Sequence, residues 1–488
     1  MIKAYDVATI RALEAQAIEE VGDDTLMQRA AGGLAAISIR ELTRIAGGVY
    51  GRRVLVLVGP GNNGGDALFA AARIARRGAS VTAVRCLGKP HQRGLAALYA
   101  AGGRLLELDD LGLDDADPPG VVAAADLVLD GVLGIGGRPG LPDDVGVLAR
   151  ICEERGIPTI AVDLPSGVET DTGADPEQSF KATRTVTFGE LKPCHLLEPA
   201  RSRCGEVELV DIGLPDRDPQ APGRWLDQFD SLDLAAGWPY PDATSDKYSR
   251  GVVGIDTGSD DYPGAGVMSV CGAVYAGAGM VRFLGAEAPA DLIRERLPNV
   301  VFSPGRVQAH LLGSGWGERA DGHRVVADAL DSGLPAVVDA DGLKYLPDEL
   351  PPTWLLTPHA GELARLLDQD RSWVTADPVR AVCAAADRTG ATVLLKGATQ
   401  LVAEPGSPRV QVAVPGPAWT AQAGSGDVLG GICATVLAAG FNAASAALFG
   451  ASLQAITASR HPGPIPPVEL ARRLPAEIAR LQRKRNER

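Results

Sequence analysis

Apolar residues at Val7, Ile10 and Leu13, and again at Leu26, Met27, Ala30, Ala31 and Leu34, recur at helical spacing, with Gly22-Asp23-Asp24 as a break between the two runs. Two helices packed on a sheet are a sufficient reading of this stretch. The period then changes. Val54–Val58 reads as a continuous apolar strand, Gly59–Asp66 as a Gly-rich loop, Ala67–Arg77 as a helix closed by Gly78, and Val81–Val84 as the next strand. This is a βαβ unit with a phosphate-type loop at the C-terminal end of its first strand. Two later runs end alike: Ala125–Leu129 into Asp130 and then Gly134-Ile135-Gly136-Gly137, and Thr159–Val162 into Asp163 and then Pro165-Ser166-Gly167. The second half repeats the alternation. A strand over Gly251–Asp256 precedes a small-residue helix over Val267–Gly279, and further apolar strands run into Gly313-Ser314-Gly315, into the acids after Pro335–Val338, into Thr357-Pro358-His359 and into Lys396. The last motif, AGSGDVLGG over Ala423–Gly431, opens an Ala/Leu-rich run that reads as a buried helix. Strands alternating with helices predict an α/β chain with parallel sheets. Between the halves, Pro215 to about Thr244 is rich in Pro, Asp and Gly without periodicity, and predicts an inter-domain connection whose Trp225, Leu226 and Phe229 pack on one of the domains.

A chain of 488 residues is long enough for two or three domains, each with its own core. The formal net charge of −14 speaks against a nucleic-acid surface, so an anionic ligand has to be held by local amides and a few Lys or Arg. The seven cysteines are scattered and form no CxxC, which argues for a reducing compartment and against zinc or a disulfide frame. The N-terminal MIKAYDVATIRALEAQ carries charges where a signal peptide needs an apolar core. The run Ile432–Phe449 is broken by Gly440, Asn442 and Ser445, and reads as a core helix instead of a membrane span. A cytoplasmic location without a membrane partner is expected.

The candidate chemistry sits at the strand ends. Gly59-x-Gly61-x-x-Gly64 matches the dinucleotide fingerprint formally, but the next strand ends in Arg85-Cys86 with no acid for a ribose. Asn62, Asn63 and Asp66 give this loop more polar content than a turn requires. In an open parallel sheet the strand C-termini line one edge, where ligands bind, so Asn63, Asp66, Asp130, Asp163 and Ser166 should converge. A single strand-end Asp is usually a helix cap; three at one edge, each followed by Gly, favour a site. Asn, Asp and Ser offer hard oxygen donors, which suit K⁺, Na⁺ or Mg²⁺ and not zinc. In the second half, Gly424 and Gly426 let backbone N–H groups turn towards an anion at a helix N-terminus. Asp427 would repel a phosphate there, and makes sense as a base that takes a hydroxyl proton while the amides hold developing charge. The plain alternative is a Gly-rich turn with Asp as its cap. Lys396, ending an apolar strand, is costly to bury unless it meets an anion. His359, between Pro358 and Gly361, is better placed to meet a ligand than to fill a core.

GPGNNGGD, LVLDGVLGIGG and AVDLPSG, followed by TVTFGELKP and ELVDIGLP, resemble the YjeF N-terminal family, the NAD(P)H-hydrate epimerases, from about Asp6 to Leu214. TPHAGE with AGSGDVLGG resembles the YjeF C-terminal family, the NAD(P)H-hydrate dehydratases of ribokinase-like fold, from about Asp233 to Ala479. The resemblance implies an N-terminal Rossmann-like αβα domain over residues 1–214, a linker over 215–232, and a ribokinase-like α/β domain over 233–488. For the first domain it implicates Asn62, Asn63, Gly64, Gly65, Asp66, the loop Gly134, Ile135, Gly136, Gly137, Arg138, Pro139 and Gly140, and Asp163 in binding the hydrated nucleotide. It implies a K⁺ ion on Asn63, Asp130 and Ser166; Asp163 is the assigned proton-transfer group. GIGGRPG departs from the GTGL that relatives tend to show. For the second domain it places Ala265, Gly317, His359 and Asp427 on the hydrated dinucleotide, and Lys396, Gly397, Ala398, Thr399, Gln400 and Gly426 on the adenine nucleotide. Asp427 is the assigned base, and Mg²⁺ accompanies the ADP or ATP. Together these imply a fused repair enzyme that interconverts the R and S forms of NAD(P)HX and dehydrates the S form through a phosphorylated intermediate. A homo-oligomer is expected. Two rivals stand beside it: a ribokinase-type small-molecule kinase fused to a nucleotide-binding domain, which would leave a stable phosphorylated product, and a non-catalytic YjeF-type scaffold.

Overall fold

The computed structural model describes residues 1–113, 120–176, 178–218 and 223–487. The chain divides into two compact units, Lys3–Trp225 and Leu226–Arg488, the latter including Met1–Ile2. The first strand is β1 (Ile2–Tyr5), whose Ala4 bridges Leu191 in parallel. The sheet of the N-terminal unit holds β2 (Arg53–Val58), β3 (Ser80–Arg85), β4 (Arg104–Glu107), β5 (Leu127–Gly131), β6 (Thr159–Val162), β7 (Arg184–Phe188) and β8 (Glu206–Val210). They lie in the order β4-β3-β2-β5-β6-β7-β8, all parallel. The chain winds outward from β2 to β4 and then crosses back to β5, so the switch point lies between β2 and β5.

Alternation along β2 builds the layers. Val54, Val56 and Val58 face a core shared with Leu34, Leu68, Ile74 and Leu98, from the helices Asp23–Ala46, Asn62–Ala75 and Gln92–Ala100. Leu55 and Leu57 face the opposite core, with Leu148 and Ile151 of the helix Asp143–Glu154. A strand covered on both faces has no polar side to show, which is why β2 reads RVLVLV.

The C-terminal unit carries β9 (Trp225–Gln228), β10 (Val252–Asp256), β11 (Met280–Phe283), β12 (Ala309–Leu312), β13 (Ala336–Val338), β14 (Leu355–Leu356), β15 (Thr392–Leu395), β16 (Leu401–Ala403) and β17 (Arg409–Val412). From β9 the order is β9-β17-β16-β15-β14-β13-β12-β10-β11. Pairing is parallel from β11 to β15 and antiparallel from β15 through β17. On this sheet the helices Pro263–Ala276 and Ser425–Ala438 pack at backbone contact. A Cβ on Gly272 would stand 2.2 Å from the Val428 carbonyl oxygen, and one on Gly431 would stand 2.2 Å from that of Ser269. The stretch of small residues is therefore packing, as its composition suggested.

Three boundaries differ from the sequence reading. The helix after β2 begins at Asn62 instead of Ala67, so the polar NNGGD is a helical turn and not a loop. Gly61, at φ 85°, makes the turn, and Gly64 passes so close to Gly59 that a Cβ would lie 2.3 Å from its carbonyl oxygen. The small-residue helix begins at Pro263, four residues early, because proline is suited to a first helical turn. Trp225–Gln228, inside the stretch read as connection, is a strand, and the helix Ser231–Gly237 follows it. Leu226 is buried, buried Asp227 pairs with Arg409, and Phe229 N–H donates to the Val412 carbonyl at 2.8 Å. Four residues at a sheet edge are too few to show a period. Among the described residues no helix is long and apolar enough to cross a membrane.

Gly431→Ala should force the two close-packed helices apart and cost about 1–3 kcal/mol, as overpacking does. Urea unfolding of the variant should show a lowered midpoint for the C-terminal unit, and an unchanged midpoint would contradict the backbone contact.

Candidate active sites

In the N-terminal unit the C-terminal ends of β2, β5 and β6 bring the predicted residues to one edge. Asn62 and Asn63 open the helix Asn62–Ala75 beneath the loop that follows β5. A Cβ on Gly134 would stand 3.1 Å from Asn63 Cγ, so the Gly134–Gly140 loop lies directly over that side chain. Gly137 N–H closes a turn onto the Gly134 carbonyl at 2.8 Å, and Gly140 N–H reaches the Gly167 carbonyl at 2.7 Å. Within this loop Ile135 packs against Leu164 and Val168, whereas Gly136, Gly137, Arg138 and Pro139 are exposed. Gly65 has its open side against Met27 and His91, so its role in the fold is helix packing.

Asp130 is fully buried, and Ser166 grips it twice: its N–H donates to Oδ2 at 2.8 Å and its hydroxyl to Oδ1 at 2.6 Å. Burial pushes the Asp130 carboxyl up to about 6 in spite of those bonds. Asn63 Nδ2 nearby is buried without a hydrogen-bond partner.

Asp163 sits just beyond β6 in a left-handed backbone conformation, φ 69°, which aspartate tolerates better than most residues. Lys192 explains its setting. This lysine is 1% exposed and spends all its donors locally: Asp163 Oδ1 at 2.6 Å, Thr187 Oγ1 at 2.9 Å and the Phe188 carbonyl at 3.0 Å. Thr187 Oγ1 also donates to Asp163 Oδ1 at 3.0 Å. His195 completes the clamp. Its Nδ1 accepts from Lys192 N–H at 3.0 Å, so the ring proton is on Nε2 and faces the Asp163 carbonyl at 3.0 Å. Burial would raise the Asp163 carboxyl, but the Lys192 ammonium and the Thr187 hydroxyl hold it below the usual carboxylate range. Burial likewise holds His195 neutral, down to about 4. Asp66 is buried too, and burial with the repulsion of Asp163, Glu14 and Asp23 lifts its carboxyl well above the ordinary value.

In the C-terminal unit the helix Ser425–Ala438 starts from Gly424 at φ 90°. A Cβ on Gly426 would lie 3.2 Å from Lys396 Nζ, which puts the helix N-terminus at the lysine. Lys396 pairs with Asp339 Oδ1, and Asp339 is buried, accepting Thr357 Oγ1 at 2.9 Å and Ser314 Oγ at 3.1 Å. Burial would lower the Lys396 ammonium, but Asp339, Glu362 and Asp427 around it keep it above its ordinary value. Asp427 lies in the first turn; burial and the neighbouring Asp339 raise its carboxyl to about 6, against the pull of Lys396.

His359 is joined to this centre through the backbone, bridging Lys396 in parallel while Lys396 N–H donates to the Pro358 carbonyl at 2.8 Å. Its side chain is exposed and caps the helix Ala360–Leu367, with Nδ1 accepting from Gly361 and Glu362 N–H at 3.0 and 3.2 Å. Residues 396–400 close the β15–β16 hairpin; Gly397 and Ala398 are exposed, Thr399 and Gln400 half-buried, and the Gln400 carbonyl accepts from Ala413 N–H at 3.1 Å. Ala265 lies against Gly315, and Gly317 N–H donates to Asp341 Oδ2 at 2.9 Å. The helix Pro263–Ala276 reaches both groups: Ala265 meets Gly315, and Met268 meets Gly424.

Lys192, Thr187 and His195 in one unit, and Asp339, Ser314 and Thr357 in the other, were missed as individual site residues. A signal existed for Lys192. It follows the apolar β7 within GELKP, and the cost of burying an ammonium, used for Lys396, applies to it equally.

Fold and sites together define a two-unit α/β enzyme with one carboxylate centre per unit, each at a sheet's C-terminal edge beside a helix N-terminus. Residues 23–194 match the family model described as YjeF-related protein N-terminus, and residues 253–470 match that described as NAD(P)H-hydrate dehydratase. The chain is 44% identical over 456 residues to the bifunctional NAD(P)H-hydrate repair enzyme Nnr of Mycobacterium tuberculosis H37Rv, covering 91% of this chain and 90% of that one. It is 34% identical over 519 residues to its namesake from Corynebacterium glutamicum, covering 90% and 87%. Among solved structures, an ADP/ATP-dependent NAD(P)H-hydrate dehydratase from Bacillus subtilis, co-crystallised with ATP/Mg²⁺, is similar with a TM-score of 0.49 and 23% identity over 52% of this chain and 97% of its own. The chain belongs to the bifunctional NAD(P)H-hydrate repair enzyme family.

Asp427 carries a pH signature. Its folded-state value, about 6, lies above the ordinary 3.8. The stability this group contributes is therefore fully present below about pH 4 and is lost as pH rises through 6. Asp427→Asn should accordingly stabilise the protein at pH 7.5, by on the order of 1 kcal/mol after allowance for solvent screening, and not at pH 4. Denaturant unfolding of variant and parent at both pH values measures the difference; equal gains at both would refute the linkage.

Proposed function

We propose that the N-terminal unit interconverts the R and S epimers of hydrated NADH or NADPH, and that the C-terminal unit dehydrates the S epimer at the expense of ADP or ATP. The observation that carries this reading is the meeting of Asp427, Lys396 and the Gly424–Gly426 turn at one helix N-terminus, a base beside a phosphoryl-receiving cradle. Hydroxide is a poor leaving group from the hydrated ring. Asp427, ionised at neutral pH yet basic enough to accept a proton, takes the proton of the ring hydroxyl. The hydroxyl oxygen then bonds to the terminal phosphorus of the nucleotide as the bridging P–O bond breaks. Backbone N–H groups of Gly424–Gly426 and the Lys396 ammonium hold the charge on the moving phosphoryl group. Phosphate leaves with the C–O electron pair, a ring proton is lost, and the dihydronicotinamide is restored. In this reading Mg²⁺ enters with the nucleotide phosphates.

For the N-terminal unit, Asp163 exchanges a proton with the hydroxyl on the inverting carbon. Asn63, Asp130 and Ser166 would hold K⁺. A fully buried Asp130 carboxylate, with Ser166 and not a lysine or arginine on it, beside the amide oxygen that Asn63 can offer, suits a hard monovalent cation. When bound, that ion supplies positive charge under the nucleotide loop. The loop Gly134–Gly140 and the turn Asn62–Asp66 would hold the nucleotide.

The two activities should separate by mutation. Asp163→Asn should lower epimer exchange by at least about 100-fold and leave dehydration of the S epimer, while Asp427→Asn should do the reverse. Mixed epimers incubated with ADP or ATP, with absorbance of the recovered reduced cofactor and chromatography of the remaining epimers, report both. A stable phosphorylated product without recovered absorbance would instead mark a kinase.

A further inference from the structure

We propose that Asp66 is the proton-carrying partner of Asp163 in epimerisation, protonating the ring nitrogen of the hydrated nicotinamide as Asp163 takes the proton of its hydroxyl. The inference rests on the epimerase reading and adds a second catalytic residue to it. Asp66 is 8% exposed, and its Oδ1 is buried without a hydrogen-bond partner. Asp163, Glu14 of the helix Val7–Val21 and Asp23 lie close enough to repel a charge on Asp66. Two cations reach this cluster: Lys192, whose three donors are already spent on Asp163, Thr187 and Phe188, and Arg11, which acts on Glu14 and lies at Gly136. His195, the other basic group on Asp163, is neutral and tied to the backbone, and Cys194 beside it is held as a thiol by burial. A buried carboxyl with an unpaired oxygen, and with no cation paired to it among the described residues, keeps its proton. Burial and the three neighbouring acids raise Asp66 accordingly. One carboxyl is thus an anion and its neighbour an acid, the arrangement that separates base from acid in a shared site.

A carbinolamine inverts by opening. The O–H bond breaks towards Asp163, its electron pair forms C=O, the C–N bond breaks, and its pair takes the proton of Asp66. Rotation of the aldehyde and reversal of every step on the opposite face returns both protons and closes the other epimer. No oxidant or further reactant is needed.

The test uses the full chain and the separated epimers. Asp66→Asn should lower kcat for exchange at least about 100-fold with KM within about threefold, and Asp66→Glu, which keeps a proton, should recover at least tenfold of the loss. Exchange by the parent should fall on the alkaline side as Asp66 ionises, and methoxyamine should trap an open-chain aldehyde during turnover. A raised KM with kcat intact in Asp66→Asn would assign the residue to binding alone and overturn the proposal. Should that variant not fold, the parent profile decides: a rate flat from neutral pH to pH 10 overturns it equally. If the parent does not exchange epimers at all, it is the epimerase reading that fails.

Discussion

Each unit is organised around a carboxylate and an ammonium removed from water together at the C-terminal edge of a parallel sheet. Lys192 meets Asp163 in one, and Lys396 meets Asp339 in the other. Desolvating such a pair costs several kcal/mol, and apolar residues of the same size would often serve stability as well or better. The pairs therefore make sense for what they position. Around Asp163 the price is offset by saturation: the lysine has no idle donor, and the histidine fixes the carbonyl of the same residue. That double hold lets Asp163 keep a left-handed backbone, which costs energy outside glycine and aims its carboxylate at the edge. Around Lys396 the saturation is incomplete, because the ammonium has one hydrogen-bond partner among the described residues, Asp339. An incompletely engaged cation is what an incoming phosphate requires.

Close backbone approach is the second shared device. In the N-terminal unit Gly59 lies against Val132, where a Cβ would be 1.9 Å from its carbonyl oxygen, and Gly64 lies against Gly59. These contacts draw the first turn of Asn62–Ala75 up to the switch point between β2 and β5. In the C-terminal unit Gly272 and Gly431 let two helices touch, and that fixes the height at which Gly424 and Asp427 emerge above the sheet. Side chains at these positions would leave the helices intact and displace the chemistry.

How much of this the sequence discloses follows from range. The βαβ alternation, the strand ends and the glycine turns are local, and the acids that follow each apolar run can be placed on one edge from the sequence alone. What stayed hidden was pairing across distance. Nothing in GELKP states that its lysine crosses 29 residues back to Asp163, nor does PAVVDADGL state which acid receives a lysine 57 positions later. Arg11 and Glu14 were hidden differently. They ride on a helix whose apolar period accounts for it as packing, while Glu14 looks towards Asp163 and Arg11 towards Gly136. The edge strand Trp225–Gln228 escaped because four residues between turn-forming segments carry no period. His359 shows the reverse case. Its place beside Lys396 was legible, but its imidazole ring caps a helix through Nδ1, and its far nitrogen lies 3.3 Å from Glu362 Oε1.

The two carboxylates also differ in strength, and the difference follows from the reactions. In the proposed phosphoryl transfer Asp427 would take a hydroxyl proton once, in one direction, so the useful base is one that is ionised at neutral pH and yet protonates readily; a value near 6 meets both demands. Epimerisation is symmetric, and its base has to give the proton back on either face with equal ease. A carboxylate held low by Lys192 returns a proton easily but removes one poorly. That weakness is tolerable only if something else draws electrons out of the breaking C–N bond. A neutral acid at the ring nitrogen does so, and a buried Asp66 with an unpaired oxygen is what the fold supplies. In the proposed reaction the lysine that makes Asp163 a weak base is thus the same cation whose three donors, already spent, leave it none for Asp66.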